Sequence, residues 1–96
     1  MILVQDTFYA KYGRGDELVQ LFKEMREVEP SFANTRLLTD ASGRFFQVIT
    51  HMEVESLAAW EALFAAEMSR EDFGNWFARM MDATDHGSRE FFNIVE

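Results

Sequence analysis

The chain has no cysteine, one proline and only five glycines in 96 residues. Without cysteine there is no disulfide scaffold, no thiolate zinc or iron–sulfur ligation and no thiol nucleophile. Pro30 closes one segment, and no linker, repeat or low-complexity tract divides the chain, so a single domain over residues 1–96 is expected. No apolar stretch approaches the roughly 20 residues needed to span a bilayer. The N-terminal MILVQD has no basic region before its short apolar run and no cleavage site after it, so it does not read as a signal peptide. Basic residues are also scarce. Nine Lys and Arg face seventeen Asp and Glu, a net charge of −8, and residues such as Lys11, Arg14, Lys23, Arg26, Arg36 and Arg44 are scattered. Such a surface repels nucleic acid and anionic membranes. A soluble cytoplasmic protein without either partner is the expectation.

Apolar side chains are abundant: 48% of residues are hydrophobic and 15% aromatic, including ten Phe and two Trp. That is ample material for a core. Residues 2–11, ILVQDTFYAK, suit a strand. YGRGDE then turns into a helix whose stripe is Leu18, Leu21, Phe22 and Met25, and which must end by Pro30. ANTRLLT and RFFQVITHM read as two strands joined by a tight turn at DASG. Ser56 is placed to cap a helix with the stripe Leu57, Trp60, Phe64 and Met68. Ser69 and Asp72 resemble a weaker capping box ahead of Phe73, Trp76, Phe77 and Met80. His86-Gly87 reads as the stop of that helix, and SREFFNIVE as the last strand. The spacing leaves open whether residues 55–86 form two helices or one bent one.

The order strand, helix, strand, strand, helix pair, strand predicts an α+β, ferredoxin-like βαββαβ antiparallel sheet with helices on one face. The first and third strands take the centre. Both faces of the strands carry apolar residues, whereas a sheet with one wet face should alternate. Ile2, Val4 and Phe8 oppose Leu3 and Tyr9, and Phe91 opposes Phe92. The helices cover one side, so a second copy is expected on the other. Burying ~800 Å² per partner at ~25 cal/mol per Å² favours association by roughly 20 kcal/mol per subunit before its costs. A homodimer packed sheet against sheet follows.

The topology, the opening DTFYAKYGRGDEL and the closing GSREFFNIV resemble the dimeric α/β-barrel superfamily, which includes antibiotic-biosynthesis monooxygenases and NIPSNAP-like proteins. The resemblance spans nearly the whole chain. It implies a barrel closed at the dimer interface and, in members that bind ligands, a pocket between sheet and helices. Haem-degrading members use an Asn on the first strand with a His and a Trp on helices. Here Gln5 and Asp6 stand on the first strand, and no helix-borne His supports Trp60 or Trp76. The resemblance therefore implies cofactor-independent, monooxygenase-like chemistry rather than haem degradation.

Polar side chains offer few catalytic groups. Tyr9, Tyr12, Asp16, His51, Glu55 and His86 are expected near one rim of the sheet, with His51 and His86 roughly 10 Å apart, too far to share a metal. His51 is the only catalytic candidate, a general base with a pKa suited to neutral pH. Its alternative reading is a strand-end histidine bonded to a carbonyl or to Glu53 or Glu55. His86 reads as a helix-terminus residue. Tyr9, His51, Trp60, Trp76 and Phe77 are the candidate pocket, although aromatic helical stripes also serve simply as core. Gly13-Arg14-Gly15 reads as a turn rather than an anion loop, with Asp16 and Glu17 beside it. No Ser-His-Asp spacing, HExxH or phosphate loop is present. Two functions remain: a homodimer binding a small apolar or aromatic metabolite, with cofactor-free monooxygenase activity, or a non-catalytic assembly or partner-binding module.

Overall fold

In the computed structural model, which describes residues 1–96, strand β1 (Ile2–Ala10) is followed by helix α1 (Gly15–Val28) and a 3-10 turn at Pro30–Phe32. Strands β2 (Arg36–Thr39) and β3 (Gln47–Val54), helices α2 (Leu57–Met68) and α3 (Phe73–Ala83) and strand β4 (Thr84–Asn93) complete the chain. The four strands form one sheet in the order β2-β3-β1-β4, and every neighbouring pair is antiparallel. This is the α+β, ferredoxin-like arrangement. No helix is long and apolar enough to cross a membrane.

Local chemistry explains most boundaries. In α1, Leu18, Leu21 and Met25 recur at helical spacing and are buried. The helix stops at Val28 because Glu29 turns extended ahead of Pro30. Arg14 fixes its start by bonding Glu17 and both the side chain and the carbonyl of Asp82, which ties α1 to the end of α3. The Gly-Arg-Gly segment is thus a braced turn whose cation is already engaged. Ser56 Oγ accepts a hydrogen bond from the Ala59 N–H at 3.1 Å, which caps α2. Residues 55–86 contain two separate helices: Ser69 closes α2, and Asp72 precedes α3 without making a side-chain cap.

Three expectations need correction. The link from β2 to β3 is not a tight DASG turn: residues 40–46 form a longer loop, with Phe46 at φ 60° and Gly43 at φ 111°. Asp40 Oδ1 accepts from the Gln47 N–H at 2.7 Å, and the Phe46 carbonyl accepts from Ala10 N–H at 2.8 Å. The loop thereby folds back onto β1, and Phe45 and Phe46 leave the strand. Second, His86-Gly87 does not end a helix. Thr84 does so, its hydroxyl donating to the Met80 carbonyl at 2.7 Å, and the chain passes directly into β4. Gly87 lies in the strand for a different reason: a Cβ there would stand 2.6 Å from the Thr7 carbonyl oxygen.

The third correction concerns the two faces. Residues Val4, Asp6, Phe8, Thr50, Met52, Leu37, Arg89 and Phe91 share the helix-covered side through their register partners. By the two-residue alternation of strands, Leu3, Gln5, Thr7 and Tyr9 lie on the bare side, with Ile49, His51, Leu38 and Phe92 beside them. Ser88 and Glu90 join them from β4. That bare face carries the expected apolar residues, but mixed with polar ones, Gln5, Thr7, His51, Ser88 and Glu90. The core proper is built by Leu18, Leu21, Val48, Met80, Ala10 and Ala83 between helices and sheet.

Candidate functional site

Between the helices and the covered face of the sheet lies a partly open cavity of about 220 Å³. A cavity of about 150 Å³ suffices for benzene, so this one has room for a small aromatic molecule. Fourteen of its twenty lining residues are hydrophobic, which sets the chemical class of what it can hold. The walls come from each layer: Phe8 and Met52 from the sheet, Phe22 and Met25 from α1, Trp60 and Phe64 from α2, Trp76 and Phe77 from α3.

The aromatic rings are locked to one another. Trp60 stacks on Phe64 with centroids 5.1 Å apart and meets Phe91 edge-on at 5.1 Å. Phe73 stacks on Phe77 at 5.4 Å, and Phe22 meets Trp76 edge-on at 5.4 Å. Trp76 Nε1 donates to the Leu21 carbonyl at 2.8 Å, so its one polar atom is satisfied and the indole presents a purely apolar surface.

Six polar residues interrupt the apolar wall. Arg89 and Asp6 form a two-pronged pair, Nε to Oδ1 at 2.7 Å and Nη2 to Oδ2 at 3.1 Å. The guanidinium also lies 4.7 Å from the Trp60 ring centre and 4.9 Å from that of Phe64. It is thus neutralised and laid against the stacked pair of rings, a part of the wall rather than a free cation. Thr50 stands opposite Asp6 in the sheet. Arg26 donates to the Thr35 carbonyl at 3.2 Å. Glu67, only 4% exposed, comes from the last turn of α2.

Glu67 and its neighbours have an uneven charge balance. Arg70 bonds Asp72 through Nε and Nη2, both at 3.2 Å, and Glu29 through Nη1 at 2.8 Å. Glu67 lies 3.9 Å from the same guanidinium and, as a carboxylate, finds no donor; once it holds a proton, Glu29 is its hydrogen-bond partner. Burial pushes the Glu67 carboxyl above its ordinary value; Arg70 pulls the other way, and Glu29 and Asp72 push upward again. Glu29 moves oppositely, held low by hydrogen bonds from the Ser31 hydroxyl and N–H and by Arg70.

The predicted site residues divide between the two faces. Trp60, Trp76 and Phe77 line the cavity, together with Phe73 and Met80 of the same α3 stripe. Tyr9 and His51 do not, because both have the bare-face parity of their strands. His51 Nε2 lies 2.9 Å from Gln5 Oε1, directly across the register, and so pairs with neither Glu53 nor Glu55. Tyr9 stacks on His86 at 4.4 Å, lies under Arg44 at 4.5 Å, and its hydroxyl accepts from Arg44 at 3.1 Å. The shared rim is also corrected. Antiparallel pairing sets the end of β3 beside the start of β1, so His51 and Glu55 lie away from Tyr9, Tyr12, Asp16 and His86. His51 stands opposite Gln5 and His86 opposite Tyr9, roughly 14 Å apart along the strands alone at ~3.4 Å per residue. His86 bonds Asp85 at 2.9 Å within β4, not at a helix end. No three His, Asp or Glu side chains converge as a metal site would require.

The inward stripe of α2 is rotated from the expected one. Trp60, Leu63, Phe64 and Glu67 face the cavity, whereas Leu57 and Met68 are exposed. Glu67 was missed because a carboxylate in an acidic helix reads as solvated. The signal for it was its position seven residues after Trp60, two turns on along the same face.

No family model matches the chain, and no curated protein matches it in sequence. Solved structures do. A NIPSNAP family protein from Agrobacterium tumefaciens superposes with a TM-score of 0.86, at 15% identity, over 96% of this chain and 90% of its own. An antibiotic biosynthesis monooxygenase gives 0.75 at 16% identity over 100% of both chains. SnoaB, a cofactor-independent oxygenase from Streptomyces nogalater, gives 0.72 at 11% identity over 99% of this chain and 93% of its own. The chain has the fold that these NIPSNAP and monooxygenase proteins share.

Proposed function

We propose that this protein is a homodimeric α/β-barrel protein that binds a small apolar or aromatic metabolite between sheet and helices. One observation carries the binding part: a cavity of about 220 Å³ walled by interlocked aromatic rings. The dimer part rests on the bare face, where Leu3, Tyr9, Leu38, Ile49 and Phe92 stand on a side that no helix covers. Both Trp residues line the cavity, so tryptophan fluorescence reports on it directly. Saturable quenching by members of a panel of phenols, naphthols and quinones is the expected result. A flat response across the panel would remove the binding reading and leave the non-catalytic assembly module.

The oxygenase among the fold neighbours favours a second reading, cofactor-free oxidation of a bound quinol. Oxygen uptake above the protein-free rate, with a ligand that quenches the fluorescence, supports it; none at saturation leaves a binding protein. His51 takes no part in ligand binding or oxidation in either reading, since it faces away from the cavity.

A further inference from the structure

We propose that Glu67 and Thr35 are the hydrogen-bonding anchor of the cavity and select an aromatic ligand that carries a neutral hydroxyl group. This deepens the binding function proposed above and rests on it. The buried side-chain oxygens that find no donor within the protein are Thr35 Oγ1 and both carboxyl oxygens of an ionised Glu67; a protonated Glu67 shares its proton with Glu29 and still leaves one oxygen free to accept. All three belong to residues that line the one aromatic cavity. Folded proteins pair nearly all such atoms, because a buried polar group without a partner forfeits its bonds to water. Their gathering around one cavity points to a partner that arrives with a ligand.

Charge balance decides which ligand fits. Around Arg70 stand Glu29, Asp72 and Glu67, three carboxyls to one guanidinium. Asp72 takes two of its nitrogens and Glu29 the third, while Glu29 is further held by Ser31. Glu67 is the surplus carboxyl and the most buried of the three, so it is the one that burial drives towards the neutral acid. With its proton directed at Glu29, the acid presents an oxygen that accepts, while the Thr35 hydroxyl donates or accepts. A phenolic hydroxyl can bond to either anchor, and its ring matches the apolar wall. An anionic headgroup would have to approach the acid cluster of a chain already at −8.

Arg26 supplies the rival outcome. It lines the cavity, it donates to the Thr35 carbonyl, and no carboxylate lies within ion-pair distance of it. If Arg26 were the anchor, an aromatic carboxylate would bind best.

Calorimetric titration of the full chain with toluene, p-cresol and p-toluate separates these cases. The expected result is p-cresol binding about tenfold tighter than toluene, with p-toluate weaker than p-cresol. Glu67→Leu and Thr35→Val should each remove several-fold of the p-cresol advantage while leaving toluene affinity intact, and Glu67→Gln should keep the advantage. Equal affinities for toluene and p-cresol, or an advantage that survives both deletions, would overturn the proposal while the cavity reading stands. Tightest binding of p-toluate would transfer the role to Arg26. Failure of all three to bind would take down the cavity reading as well. Infrared difference spectra give a readout that does not depend on Glu67→Leu folding. The carboxylic-acid C=O band lost in Glu67→Gln should shift with p-cresol and not with toluene; an unmoved band contradicts the anchor.

Discussion

The two faces of the sheet are made by the same four strands, yet their side chains do different things. On the covered face, Val4, Phe8 and Met52 meet rings from three helices around a cavity, and the Asp6–Arg89 pair is folded into the wall. On the bare face, polar groups satisfy one another, Gln5 with His51 across the sheet and Tyr9 with His86 and with Arg44 of the 40–46 loop, among scattered apolar residues. Self-satisfied polar pairs leave little chemistry for a small ligand, and scattered apolar residues with a polar frame resemble an interface between proteins. The lesson is one of parity. A shift of one residue in a strand exchanges a pocket wall for a contact surface.

Substitutions that strike one face and spare the other sharpen this contrast. The largest effect is expected under the helices. Leu18 is fully buried, and Leu18→Ala should cost about 2–5 kcal/mol in denaturant unfolding. Ile49→Asp on the bare face should instead break self-association, raising the dimer dissociation constant at least ~30-fold in sedimentation equilibrium. Association unchanged by that charge would remove the bare face as the interface. Next in size, Phe77→Ala should weaken p-cresol binding about tenfold, whereas His51→Ala should leave it within about twofold. Equal losses from both would erase the distinction between the faces.

The smallest expected effect is on pH dependence. In the folded chain Glu67 keeps its proton above the ordinary carboxylate value of 4.5, while the unfolded chain releases it there. Its contribution to stability is therefore fully present below about 4.5 and is lost as pH rises through the raised folded value. Glu67→Gln does not titrate. Its stability relative to the natural chain should rise as pH increases from about 4 towards neutrality and be flat below. Glu17 and Asp82 are shifted down and lose stability as pH falls, but they pair with Arg14, not with Glu67, and cancel in the difference. A difference that is flat or falls across the range would mean that Glu67 is ionised in the fold.

Much of the fold was legible because apolar spacing is a strong signal. Leu18, Leu21 and Met25 on α1 and Phe73, Trp76, Phe77 and Met80 on α3 face inward as their periods require. The sheet order followed from topology alone. The site was only half legible. Each face of β1 mixes apolar and polar residues, Leu3 and Gln5 on one and Val4 and Asp6 on the other, so β1 offered no clear polarity cue to tell the ligand side from the other. Tyr9 and His51 fell on the wrong side for that reason. His86-Gly87 looked like a helix stop because Gly suits such stops, but here a close approach to the Thr7 carbonyl requires the glycine. Glu67 was hidden by its charge.

The methionines offer the most direct test of the central claim, that the covered face is the ligand site. Met25, Met52 and Met80 line the cavity, whereas Met1, Met68 and Met81 are exposed away from it. The measurement is a titration of the ¹³C-methyl-methionine protein with p-cresol, followed by NMR. The account predicts that the Met25, Met52 and Met80 methyl signals move saturably with one shared affinity while the other three stay still. Uniform small drifts, or saturable shifts confined to Met1, Met68 and Met81, would contradict it.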